Sequence, residues 1–334
     1  MMKPGMIVED AFRLDRLLLD DGLAAYWSCI PVGPEAPKPP PVLLLRAIKP
    51  GDVGQGIKTW PPVEAKRTGD GIPGRFFAGS DESPVLVEVF DAEPGPPVFV
   101  EGKRMPPREA MERFQEACSI VDAYHKEHWV CRTINAGAFF RGGLSTKVWM
   151  YPPVSLAGFG HPLREAVGTP GYIAPEAWSP EKADPAMDIY ALGAVAWAWL
   201  AGRHPFAEVA DIGEIVALSR GAALPALSTE FPDIPPAADA LIGAATAVHP
   251  MDRPKNAREL SRMVREVLSA LARPSKAKAP EPAADAETVP GAEAAPAPDP
   301  ETQPAKAPEK AKEKRNTRVI PFSLDDIMDA TEGK

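Results

Sequence analysis

From Ile189 to Ala201 the chain runs thirteen residues, IYALGAVAWAWLA, without a charge or a proline. A helix that is apolar on every side must be covered all round, by protein or by lipid. Thirteen residues are too few for a bilayer, which takes about 20. The segment therefore reads as a helix buried inside a helical layer, spanning about residues 186–202.

Helical spacing continues on both sides of it. Ala110, Met111, Phe114, Ala117, Cys118, Val121 and Tyr124 recur three and four residues apart, on a helix opened by Pro106-Pro107. Further helices are expected at 211–219, 236–248 and 255–272. Before residue 101 the pattern is different. Short β-like runs stand between Gly/Pro loops: Arg13 to Leu19, Ala24 to Ile30, Val42 to Ile48, Leu86 to Phe90 and Val98 to Val100. The chain is thus α+β, with a β-rich first part and a helical second part. Pro31 to Pro41 (PVGPEAPKPPP) reads as a stiff connector between two strands.

The fold should end near residue 273. From Ser275 to Arg318 there is no aromatic residue, and Val289 is the only branched aliphatic. Such a segment cannot bury enough apolar surface to offset its ordering entropy and is expected to be a disordered Ala/Pro/Glu/Lys linker. Apolar residues then return. Ser323 can N-cap a short helix with Asp325 and Asp326 in its first turn, and Leu324, Ile327 and Met328 fall on one face. Residues 319–334 therefore read as a docking motif for a partner protein.

Bulk properties exclude several classes. Net charge is −9, without a basic run to make a nucleic-acid patch. The N-terminal MMKPGMIVEDAF lacks the apolar stretch of a secretory signal. Three cysteines, Cys29, Cys118 and Cys131, are odd in number and lack metal-ligand spacing, as in a reduced, cytoplasmic protein. The five histidines are scattered; His125 and His128 share a helix end and read as C-terminal caps.

Residues 167–206 carry the most specific pattern. They contain Gly168-Thr-Pro-Gly-Tyr-Ile-Ala-Pro-Glu176 and Asp188-Ile-Tyr-Ala-Leu-Gly193. This block resembles the activation-segment end and following helix of Hanks-type Ser/Thr protein kinases. The resemblance implies a two-lobe fold: a small β-rich N-lobe over residues 8–100 and a larger helical C-lobe over 101–273, followed by the linker at 274–318 and the motif at 319–334. It implies a pairing of Glu176 with Arg253, in HPMDRP, and hydrogen bonds from the catalytic-loop backbone to Asp188. With Gly193, these are architectural positions. Thr169 matches the activation-segment threonine.

The chemical positions of that family are filled differently. Setting Arg132 of VCRTINAGAFF on the catalytic-loop arginine puts Thr133 at the catalytic aspartate, Asn135 at the lysine and Ala138 at the metal-binding asparagine. Gly158-Phe159-Gly160 stands for the metal-binding D-F-G, so Gly158 replaces its aspartate. Phosphoryl transfer relies on an aspartate at the hydroxyl and on metal neutralising the phosphates. Threonine is not ionised near neutral pH, and neither alanine nor glycine offers oxygen to magnesium.

In the N-lobe, Gly22 stands alone where a glycine-rich loop is expected, beside Asp20 and Asp21. The nucleotide-binding lysine falls on Arg46 or on Lys49. Residues 51–84 hold seven glycines and four prolines, which disfavours a regular helix there and leaves Glu64 as a weak partner for the lysine. The reading that follows is a pseudokinase acting as a scaffold or regulator, without ATP or magnesium. Two alternatives stand beside it. One is a divergent kinase using Asp20, Asp21, Asp91 or Glu93; the other binds nucleotide without metal or transfer.

Overall fold

The computed structural model describes residues 2–272 and 320–322, apart from positions 9, 21–23, 35, 37, 39–41, 49–73, 78–85, 91–93, 143–146, 152, 154 and 180. The first part is an antiparallel sheet of β1 (Ile7–Val8), β2 (Phe12–Asp20), β3 (Ala24–Pro31), β4 (Leu43–Ile48), β5 (Gly74–Phe77) and β6 (Leu86–Phe90). Their order in space is β1-β2-β3-β4-β6-β5. Alternation decides which face is covered. Phe12 and Leu14 are buried while Arg13 and Asp15 are exposed, and Trp27, Cys29, Leu45 and Ala47 complete that layer. Between Leu14 and Arg16 the register shifts. Ser28 repairs the break: its Oγ accepts from Arg16 N (3.1 Å) and donates to Asp15 Oδ2 (3.2 Å).

The second part holds α1 (Pro107–Lys126), α2 (Pro185–Ala201), α3 (Ile212–Gly221), α4 (Pro236–Ala245) and α5 (Ala257–Ala272). α2 is the apolar segment met first in the sequence, and every residue from Met187 to Ala201 is buried. Asp184 caps it by accepting from Ala186 N, Pro185 opens it, and Gly202 closes it at φ +71°. α1 and α4 cover α2, and α5 packs on α1 and α4. α1 contributes the expected stripe of Ala110, Met111, Phe114, Ala117, Cys118 and Val121, all buried.

Short strands join the helices. β7 (Pro94–Pro97), β9 (Phe139–Gly142) and β10 (Val148–Met150) form a sheet in the order β10-β9-β7. β8 (Trp129–Val130) pairs with β11 (Ala157–Gly158), and β12 (Ala166–Gly168) with β13 (Ile320–Phe322). The strand expected at Val98–Val100 lies instead at Pro94–Pro97. Three prolines mask it, because they lack the N–H of a ladder strand; at a sheet edge that loss is tolerated. The linker at 274–318 lies outside the described residues, as do Leu324, Ile327 and Met328 of the docking motif. The described start of that motif, Ile320–Phe322, is a strand.

Candidate functional site

The loop after α1 is held from below by one carboxylate. Asp188, in the first turn of α2, is fully buried. Its Oδ2 accepts from Cys131 N (2.7 Å), its Oδ1 from Arg132 N (2.9 Å), and His125 Nε2 lies 2.9 Å from Oδ2. A buried charge needs such partners. His125 is therefore a support for Asp188 rather than the C-terminal cap its position suggested. The grip holds Arg132 at φ +64°, and Arg132 Nη2 donates to Glu165 O (2.9 Å). Burial, then the Asp188 charge beside it, pushes the Cys131 thiol well up, so it stays protonated and unreactive.

Above this support the loop is neutral. Thr133 is buried. Asn135 Oδ1 accepts from Gly137 N (2.9 Å), and its Nδ2 donates to Thr169 Oγ1 (3.2 Å). The amide thus ties the loop to the activation-segment end. Ala138 follows in the same tight turn, and its carbonyl accepts from Tyr151 N (2.8 Å).

That last bond corrects the expected position of Gly158. The residues brought beside Thr133 and Ala138 are Met150, at the end of β10, with Tyr151 and Pro153. Gly158 sits on β11 instead, paired with Trp129, and a Cβ built on it would meet nothing within 4 Å. Phe159 N donates to His128 O (2.9 Å), and its ring packs on His125 and His128. The physical reason is strand pairing: β10 runs beside β9, so it delivers the chain to the loop before β11 begins. Tyr151 is the residue this reading missed. The signal was the apolar run Val148-Trp-Met-Tyr ending in Pro152-Pro153.

Tyr151 bridges the two parts of the fold. Its ring centroid lies 4.6 Å from that of Phe140 and 4.9 Å from that of Tyr26 on β3. Burial raises its hydroxyl pKa to about 12. Leu19, Tyr26, Thr133, Ile134, Asn135, Ala138, Met150, Tyr151 and Pro153 line a cavity of about 10 Å³. None of these side chains is charged at neutral pH.

The lobe's other joint is an ion pair. Arg253 Nη1 lies 2.6 Å from Glu176 Oε1, and Nη2 lies 2.8 Å from Oε2. Arg253 also donates to the carbonyls of Ala186 (2.9 Å), Ala247 (2.7 Å) and Val248 (3.0 Å). Gly193 lets α2 approach α4: a Cβ there would stand 2.7 Å from Ala245 Cβ.

Comparison with known proteins agrees with this architecture. The protein kinase domain family matches residues 154–265. The Ser/Thr kinase PknL of Mycobacterium tuberculosis is 31% identical over 122 residues, 36% of this chain and 30% of its own length. PknH of Mycobacterium bovis is 36% identical over 107 residues, 32% of this chain and 18% of its own. The chain thus spans about a third or less of these curated relatives. Among solved structures, the kinase domain of PknI from Mycobacterium tuberculosis superposes with a TM-score of 0.55 at 16% identity, covering 80% of this chain and 99% of that one. The Cydia pomonella granulovirus kinase PK-1 gives 0.57 at 15% identity, covering 75% and 92%.

The chain has a protein-kinase-like fold. Its N-lobe is the six-stranded sheet and its C-lobe the helical layer. In the kinase-like N-lobe, the register sets Arg46 opposite Tyr26 on one side and Glu88 on the other. Lys49, Glu64, Asp21, Gly22, Asp91 and Glu93 lie outside the described residues. Asp20 ends β2 in register with Ala25. Among the described residues, no group of three His, Cys, Asp or Glu could hold a metal ion, and no helix is long and apolar enough to cross a membrane.

Proposed function

We propose that this kinase-like chain is a pseudokinase, a cytoplasmic scaffold or regulator that works by binding protein rather than by transferring phosphate. The supporting observation is the uncharged cavity around Thr133, Ala138 and Tyr151. Transfer requires an anionic base at the acceptor hydroxyl and oxygen ligands for magnesium beside the phosphates. Thr133 and Ala138 supply neither, and Tyr-Pro-Pro-Val, the segment at 151–154, contains no carboxylate. Tyr151 keeps its proton at neutral pH. The free space among these described residues, about 10 Å³, is room for one water. Their side chains offer magnesium no carboxylate ligand.

Partner binding would use the C-lobe surface and the motif of Leu324, Ile327 and Met328; neither a nucleic acid nor a membrane is a partner in this reading. Thermal melts with and without magnesium-ATP test the loss of nucleotide chemistry. A ligand at a hundredfold its Kd stabilises by about 2.7 kcal/mol, which would raise the Tm by about 5–10 °C for a domain of this size. The expected shift is none. A magnesium-dependent rise, or label transferred from ATP to any substrate, refutes the proposal. A rise without metal would favour a nucleotide-binding regulator using Arg46 or Lys49.

A further inference from the structure

β12 belongs to a sheet of two strands, and its companion comes from far along the chain. Ala166 stands opposite Phe322, Val167 opposite Pro321 and Gly168 opposite Ile320. We infer that β12 is an acceptor edge for an extended peptide, and that the chain's own Ile320–Phe322 is its resident occupant, a latch laid in cis on the activation-segment end.

The register makes chemical sense of the proline. In an antiparallel pair, hydrogen-bonded and non-hydrogen-bonded positions alternate. With Pro321 opposite Val167, the bonded pairs are Ala166 with Phe322 and Gly168 with Ile320. The missing N–H of Pro321 then costs no ladder bond. A slip of one residue would put proline at a bonded pair and lose one. Proline also closes the outer side of β13 to further strands.

The acceptor is built rather than incidental. Ala166, Val167 and Gly168 are buried. Arg132 holds the preceding carbonyl, that of Glu165, at 2.9 Å. Gly168 takes φ +150°, and a Cβ there would stand 2.8 Å from Ile173 Cγ1 and 3.3 Å from Arg132 O. Only glycine allows that approach, so the strand lies tight against the Asp188-supported loop. Forty-seven residues separate Ala272 from Ile320. Because both strands belong to one chain, their pairing is intramolecular, with an effective concentration on the order of millimolar. Three paired residues at such a concentration make an exchangeable latch, open to competition from a partner's extended segment. This inference goes beyond the pseudokinase proposal, and nothing in it depends on nucleotide.

Amide hydrogen exchange on the full chain, read at Ala166 and Gly168, tests it. Ile320→Pro removes the N–H that the Gly168 carbonyl accepts and should speed exchange at both amides at least tenfold. Pro321→Ala should leave both protected, because position 321 donates nothing to β12. Adding excess peptide TRVIPFS, residues 317–323, to the Ile320→Pro protein should restore protection. Equal exchange in the parent and Ile320→Pro overturns the proposal. So does a Pro321→Ala protein that exchanges as fast as Ile320→Pro, or a peptide that restores nothing.

Discussion

Replacing Arg253 by leucine should be among the most damaging single changes in the C-lobe. The side chain is fully buried and makes five hydrogen bonds, two to the Glu176 carboxylate and three to carbonyls. It thereby ties the 3₁₀ turn at Pro175–Trp178, the start of α2 and the stretch after α4 to one cation. Its guanidinium also lies 5.2 Å from the Tyr190 ring centroid. Leucine restores none of this and leaves Glu176, whose side chain is 23% exposed, without its cation. Breaking one member of a buried pair costs about 3–5 kcal/mol.

Glu176→Gln should cost less, because Arg253 keeps its three carbonyls and Gln can still accept one bond. The order Arg253→Leu worse than Glu176→Gln is therefore part of the prediction. Urea denaturation is the assay. With a slope of about 3 kcal/mol per molar, the Arg253→Leu midpoint should fall by about 1–2 M at unchanged slope. The double variant Glu176→Leu, Arg253→Leu should lose less than the sum of the singles, since the two share one interaction. An unchanged midpoint, or strict additivity, would refute the view that this pair staples the lobe.

Two further tests bear on other parts of the molecule. Burial lowers the His204 pKa, and the Tyr172 hydroxyl lies 2.6 Å from its Nδ1. A histidine held neutral contributes stability above its unfolded pKa of about 6.5, and that contribution is lost as pH falls through the lower folded value. Tm should drop between pH 7.5 and 5.5, and His204→Gln should shrink the drop; an equal drop in both proteins would show that His204 is not the titrating group. For the proposed docking motif, co-purification with Leu324→Asp, Ile327→Asp should recover fewer partners than wild type, and identical recovery would place recognition on the folded domain alone.

The fold was legible wherever a pattern was long. The α2 helix was expected at 186–202 and runs from Pro185 to Ala201, since unbroken apolarity bounded by Asp184-Pro185 and Gly202 leaves little choice. The α1 stripe was equally plain. Short elements were less so: β1, β5 and β7 are two to four residues long, too short for alternation to show. β7 is three-quarters proline, the residue that argues most strongly against a strand. The site was legible in part. Thr133, Asn135 and Ala138 lie together because a single loop carries them. Tyr151 was missed because its proximity comes from pairing of β10 with β9, and no local motif announces a non-local register. Gly158-Phe159-Gly160 misled for the same reason: its letters resemble a metal-binding motif, but its strand partner is β8.

Asp188 makes the path of this loop independent of the side chains it presents. A buried carboxylate is costly unless every acceptor position finds a donor. Here the donors are the amides of Cys131 and Arg132, together with His125. Two of these bonds come from backbone amides and the third from α1, so all are indifferent to which side chain stands at 133 or 138. The loop keeps its path whether those positions carry an acid, a threonine or an alanine. Gly168, against Ile173 and Arg132 O, and Gly193, against Ala245 and Thr246, are likewise constrained by contacts that involve neither Thr133 nor Ala138. The groups that shape the C-lobe and the groups that would transfer phosphate are thus energetically separable. Substitutions at Thr133 or Ala138 should therefore leave the Asp188-supported loop and the β12 edge intact.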